Sequence, residues 1–192
     1  EGLQNGSFAG GDEAAYEHVD LTFNNGGPFD PATYGGDAAT ALAVRQAFLL
    51  TIPRDQILEN IIKPLNPNAE LRNSLLTIPG SPNYAGIVAA NGSDFYSGTD
   101  AERVDKAKGI LADVGITAPV DVKFWYPTGN VRRSQELELI QANSLKAGFN
   151  VIDTNEPNWE FADPTIYEIN PHDAVIFAWS STSLAITGSD QQ

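Results

Sequence analysis

Between Val120 and Asp153 the apolar and polar positions change period twice. Val120-Asp121-Val122-Lys123-Phe124-Trp125-Tyr126 is β-branched and aromatic with partial alternation, which predicts a strand, and Pro127-Thr128-Gly129-Asn130 ends it. From Val131 to Ala147 the spacing becomes helical: Leu137, Ile140 and Leu145 fall on one side with Gln141, Ser144 and Ala147, while Glu136, Asn143 and Lys146 fall elsewhere. Gly148 supplies the stop, and Phe149 to Asp153 reads as a second, short strand. A connection of this length through a helix predicts a right-handed crossover between parallel strands. The expected fold class is therefore α/β, a mixed, largely parallel sheet covered by helices.

The rest of the chain fits around that unit. Residues 1–15 are rich in Gly, Asn, Ser and acidic groups and read as a loose arm. Tyr16 to Phe23 alternates, with Val19, Leu21 and Phe23 on one face, and predicts a strand. Asp37 is placed as an N-cap for an apolar helix over Ala38 to Leu50. Pro53 suits the first turn of a further helix whose inward face would be Ile57, Leu58, Ile61 and Ile62. Pro64, Pro67, Pro79 and Pro82 punctuate a coil with at most short helical turns. Thr99-Asp100-Ala101-Glu102 matches a capping box, followed by Val104, Ala107, Leu111 and Val114 at helical spacing. Asp173 to Trp179 is an apolar run of the kind buried on both faces of a sheet, and residues 180–192 read as loop. No internal repeat or composition shift divides the chain, so residues 1–192 are expected to form a single domain.

Composition narrows the function. The chain has 192 residues, 42% of them hydrophobic, enough to bury roughly 70% of the surface its unfolded form exposes. Eleven Lys and Arg against 25 Asp and Glu give a net charge of -14 with no basic run, which argues against nucleic acid as a partner and against anionic membrane surfaces. No apolar run reaches the length of a spanning helix. The chain lacks cysteine, so disulfides, thiolate catalysis and cysteine-based zinc sites are excluded. It neither begins with Met nor contains one, which leads us to expect a processed product or an excised fragment.

Catalytic and metal chemistry find little support. His18 and His172 stand apart from any spaced ligand set, and a zinc site needs three or four converging ligands. Ser180, Ser181 and Ser183 lie in no G-x-S-x-G elbow. The pairs Gly26-Gly27 and Gly35-Gly36 lack the spacing and the lysine of a phosphate loop. No cofactor is expected. Arg45 and Arg54 are expected to partner acidic residues, and Arg132 and Arg133 open a helix, beside the positive end of its dipole. A hydrolytic α/β domain with converging carboxylates, and an interaction module with an exposed apolar patch, stay open as alternatives.

Ala43-Val44-Arg45-Gln46-Ala47-Phe48 followed by Ile52-Pro53-Arg54-Asp55-Gln56-Ile57 resembles the paired helices of the family-5 extracellular solute-binding proteins, which deliver peptides and related solutes to ABC importers. Tyr16 to Asn24, Pro28-Phe29-Asp30, Asp105 to Gly115, Ile140-Gln141 with Ala147-Gly148-Phe149, and His172 to Trp179 follow the same pattern in order, over roughly residues 16–182. The resemblance implies one lobe of a two-lobed, periplasmic-binding-protein-like fold that closes on its ligand by a hinge. A first lobe would precede the Tyr16 strand, and the chain would return to it after the Asp173 strand. It further implies an extracytoplasmic location, in the periplasm or as a lipoprotein on the outer face, a peptide or other small solute as ligand, and the transmembrane permease subunits as partners.

The same resemblance nominates a site. In peptide-binding relatives the segment after the last strand's Trp lines the cleft, often with an Asp three residues beyond that Trp. Here the segment is Trp179-Ser180-Ser181-Thr182, so Thr182 stands where a carboxylate would pair with a peptide amine. Hydroxyls can still hold a ligand by neutral hydrogen bonds, and an aromatic ring offers it a flat wall. Because ligands of open α/β sheets gather beyond the carboxyl ends of strands, Tyr126, Thr128 and Asn130 are added, with Asn24 after the first strand. Each has a structural competitor: core packing for Trp179, turn chemistry for Ser180, Ser181, Thr182 and Asn24, and helix capping for Asn130.

Overall fold

The computed structural model describes residues 15–75, 77–117, 119–155 and 171–180; at Ala15, Trp179 and Ser180 it is the backbone that is described. Four strands, β1 (Ala15–Leu21), β2 (Val120–Trp125), β3 (Phe149–Asp153) and β4 (Ala174–Ser180), form one sheet in the order β1-β4-β2-β3. β2 runs parallel to both β3 and β4, and β1 is antiparallel to β4, with Ala15 opposite Ser180 and Leu21 opposite Ala174. The parallel pairing of β2 with β3 is as the change of period predicts. The helices are α1 (Ala38–Leu50), α2 (Arg54–Ile57, continued by a π-helical turn over Leu58–Ile62), α3 (Tyr84–Ala90), α4 (Asp100–Asp113) and α5 (Val131–Leu145).

Alternation along the strands separates two cores. Val122, Phe124, Ala174 and Ile176 join the main cluster with Val44 and Phe48 of α1, Val104 and Leu111 of α4, and Leu137 and Ile140 of α5. Trp125, Val175 and Phe177 form a smaller cluster on the opposite face. Fully burying one such side chain stabilises the fold by about 1.5–3 kcal/mol. Caps fix where the helices begin: Asp37 accepts from the Ala39 and Thr40 amides, and Thr99 and Glu102 close a complete capping box.

Some expectations are corrected. Leu145 is 64% exposed, whereas Glu136 and Asn143 are buried. Leu145 lies five positions after Ile140, which turns it roughly 140° away around the helix, and α5 sinks its polar stripe because partners await it there. Phe23 falls beyond the end of β1 and is exposed, with the Arg45 guanidinium 4.6 Å from its ring centroid. Ile57, Leu58, Ile61 and Ile62 are half-buried and form no closed inward face. The proline-punctuated segment is followed by a seven-residue helix, α3, where the prolines predict only short turns.

Candidate functional site

At the carboxyl end of the sheet β4 outruns its neighbour: its first two residues pair with Phe124 and Trp125, and the remainder extends past the end of β2. The loop from Tyr126 to Asn130 and the first turn of α5 occupy that end. Asn130 caps α5, its side chain accepting from the Arg133 amide at 3.1 Å. Thr128 donates its hydroxyl proton to Asn155 Oδ1 at 2.7 Å. Tyr126 is 7% exposed and belongs to the main core, which accounts for its ring by packing. Trp179 pairs with Tyr16 through the backbone, Ser180 closes the strand, and Ser181 and Thr182 lie outside the described residues.

Asn24 is not brought to this group. β1 is antiparallel to β4, so the loop after Leu21 emerges beside Ala174, at the amino end of β4 and away from Trp179 and Ser180. The strand-end rule applies to parallel strands, and β1 is the exception.

An ion-pair cluster that sequence reasoning misses joins β1 to α5. Glu17 Oε1 accepts from Arg133 Nε at 2.5 Å, and Glu17 Oε2 accepts from Arg132 Nη2 at 2.7 Å. Arg132 Nη1 also reaches Glu136 Oε1 at 2.5 Å. Glu136 is only 1% exposed; burial pushes its carboxyl up despite the Arg132 charge. Burial alone would lower the Arg132 guanidinium, but Glu136 and Glu17 together hold it above its ordinary value. The clue in the sequence is the Arg132-Arg133 pair at a helix start, where cations are disfavoured unless carboxylates answer them. Arg45 and Arg54 depart from expectation: they donate to carbonyls, Arg45 to Phe29 O and Arg54 to Arg72 O, both at 2.8 Å.

Beside this cluster lies a cavity of about 1110 Å³, bounded by β1, α2 with its π turn, and residues 66–80. Arg72 stacks 4.6 Å above the Tyr16 ring and ties down the loop through the Ser74 and Leu75 carbonyls. Burial lowers the guanidinium pKa of both Arg54 and Arg72 and raises that of the Tyr16 phenol. His18 sits against Asp20 and Phe177, and His172 Nδ1 lies 2.8 Å from the Thr154 hydroxyl. Among the described residues no group of three or more metal-ligating side chains converges.

The profile of the bacterial extracellular solute-binding proteins, family 5 Middle, matches residues 9–185. The chain belongs to this family. No curated protein matches it. Among solved structures it is similar to the periplasmic EDTA-binding protein EppA, at 18% identity and a TM-score of 0.62 over 87% of this chain and 30% of that one. It is similar to the peptide-binding protein of a peptide ABC transporter, at 18% identity and a TM-score of 0.61 over 92% of this chain and 72% of that one. The oligopeptide-binding protein from Thermus thermophilus, complexed with a pentapeptide, aligns at 20% identity and a TM-score of 0.54, over 92% of this chain and 30% of that one. At these identities the likeness establishes the fold, a mixed α/β sheet with helices like that within the family-5 proteins. The chain spans about 30% of the length of the first of these structures. Among the described residues no helix is long and apolar enough to cross a membrane.

Proposed function

We propose that this chain is one lobe of an extracytoplasmic, two-lobed solute-binding protein that captures peptides by hinge closure and presents them to the permease of an ABC importer. The family match over residues 9–185 carries the reading. The topology supports it: Ala15 and Ser180 are paired neighbours, so both connections out of the sheet leave side by side, as a hinge between lobes requires. Residues 1–192 then form the second lobe, with the first lobe and the membrane permease subunits as partners. Its role is binding without catalysis, and closure follows because ligand contacts from both lobes stabilise the closed state. Trp179, Ser180, Ser181, Thr182, Thr128 and Asn130 are the residues assigned to the cleft, with hydroxyls offering neutral hydrogen bonds in place of the carboxylate that pairs with a peptide amine in relatives.

Calorimetric titration of a mixed di- to hexapeptide pool tests this, into the chain alone and into a version extended by the first lobe. Binding by the extended protein alone is expected, because a single lobe supplies half of the contacts. Tight stoichiometric peptide binding by the chain alone would overturn the half-cleft reading. Silence from both would overturn peptide as the ligand.

A further inference from the structure

The half-buried face of α2 has a reason in the cavity beside β1. Ile57, together with Leu58 and Ile62 of the π turn, lines that cavity, as do Leu71 and Ile78 of the loop and Val19 of β1. All six remain half-buried, so the wall they form is left partly open. Single π turns are rare and recur at functional sites, and this one supplies two of the six. The charged chemistry of the lining is largely committed already. Glu17 is held by Arg132 and Arg133, Glu136 by Arg132, and Arg103 by Asp55, Asp100 and the Gly98 carbonyl. Arg54 donates to the Arg72 carbonyl, and Arg72 to the Ser74 and Leu75 carbonyls. The polar atoms of Arg72, Arg103 and Glu136 that lack a partner among the described residues are buried and closed off from any ligand. Glu70 also lines the cavity and is exposed to solvent. What the interior offers is chiefly apolar surface.

We propose that this cavity is the specificity pocket of the lobe and takes the bulky apolar side chains of the captured peptide, an inference that rests on the peptide-capture reading above. Its position adjoins the assigned cleft. Tyr16 belongs to the lining and pairs through the backbone with Trp179, and Glu136 stands on α5, whose cap is Asn130. A charged side chain entering here would leave water and find the opposite charges already engaged, which is costly. An aliphatic or aromatic side chain instead removes its own surface and that of the wall from water together. The volume of about 1110 Å³ exceeds the range of roughly 300–1,000 Å³ that usually encloses a whole small molecule, so the pocket has room for more than one such side chain.

Two measurements test the pocket, one with peptides and one without. In the protein extended by the first lobe, calorimetry should find trileucine bound at least about tenfold tighter than trialanine, triaspartate or trilysine. Ile78→Trp fills the cavity from the loop, outside the main core, and should erase that preference. In the 192-residue chain, N-acetyl-L-leucinamide should give saturable backbone amide NMR shifts at Ile57, Leu71 and Ile78, with a dissociation constant on the order of 10 mM, and N-acetylglycinamide should give none. Equal affinities for the four tripeptides without leucinamide shifts would overturn the pocket and leave peptide capture standing. Leucinamide shifts in the chain, with no tripeptide bound by the extended protein, would overturn peptide capture and this proposal with it. Leucinamide shifts that vanish in the extended protein, without a preference for trileucine, would show that the first lobe fills the cavity and would also overturn the proposal.

Discussion

The hydroxyl oxygens of Thr51 and Ser144 lie 2.7 Å apart, with both residues fully buried. Thr51 ends α1 and donates its own proton to the Phe48 carbonyl at 2.6 Å, which leaves Ser144 as the donor between them. One residue away, Asn143 Nδ2 donates to the Thr51 carbonyl at 2.8 Å. The last carbonyls of a helix have no partner within it, and here α5 supplies one from across the core. Asn143→Ala should strand that carbonyl and cost about 1–3 kcal/mol, whereas Ser144→Ala leaves no buried group unanswered and should cost about 1 kcal/mol or less. Urea unfolding of the two variants distinguishes the cases; equal losses would refute the capping role of Asn143.

Asp173 makes an equivalent join at the other end of the sheet. Its side chain accepts from the Lys123 amide at 2.8 Å and from Asn25 Nδ2 at 2.9 Å. Gly27 packs so closely that a Cβ there would stand 2.0 Å from Asp173 Oδ1. Gly27→Ala should therefore destabilise the fold by about 1–3 kcal/mol through overpacking. Combining it with Asp173→Ala relieves the clash, so the double variant should lose less than the sum of the two single losses. Strict additivity in thermal unfolding would show that the contact is not what restricts Gly27.

How much of this is legible depends on the range of each interaction. The strand-helix-strand unit, the Asp37 cap and the Thr99 capping box can be read because their determinants lie within a few residues of one another. Leu145 misleads because an apolar residue near a helix end invites an inward placement, although five positions from Ile140 it has already turned away. Asn143 looks like a solvent-facing residue because its partner, the Thr51 carbonyl, becomes visible only once the helices are packed; Arg132 lies one turn before Glu136 on the same helix, but Glu17, which draws that pair against the sheet, comes from β1. Asn24 groups with the strand ends because nothing local reveals that β1 runs antiparallel to β4. The cavity draws on β1, α2, residues 66–80, α4 and α5 together, so no window of the sequence contains it.

The link from β1 to α5 can be measured directly. Glu17 holds Arg132 and Arg133 with all three side chains largely shielded, at 23%, 27% and 10% exposure. Shielded, doubly engaged carboxylates couple more strongly than surface pairs, whose contribution is usually about 0–1 kcal/mol. A double-mutant cycle of Glu17→Gln with Arg133→Gln should return a coupling energy of about 1–2 kcal/mol. Glu17→Gln should also speed amide exchange in the first turn of α5, because that carboxylate offsets two cations beside the helix dipole. A coupling energy indistinguishable from zero would reduce the pair to a surface contact.

Acid should unfold the chain through its caps. The Asp37 carboxyl is held below its ordinary value of 3.8 by the Thr40 hydroxyl and the Thr40 and Ala39 amides. Asp30 is held below 3.8 by the Ala32 and Gly26 amides, and Glu102 below 4.5 by the Thr99 amide and hydroxyl. A depressed folded pKa means that the unfolded chain binds more protons, so this stabilisation is present above the ordinary values and is lost as pH falls through the folded ones. The urea midpoint should decline from about pH 5 towards pH 3. Glu136 has the opposite sign: burial raises its carboxyl above 4.5, so its contribution is complete below that value and is lost as pH rises through the folded pKa. Asp37→Asn keeps a capping side chain but removes the titration, and should flatten the acid decline. Glu136→Gln removes the opposing contribution and should steepen it. Midpoint-against-pH curves for both variants that run parallel to that of the parent chain would contradict the assignment of acid sensitivity to these carboxylates.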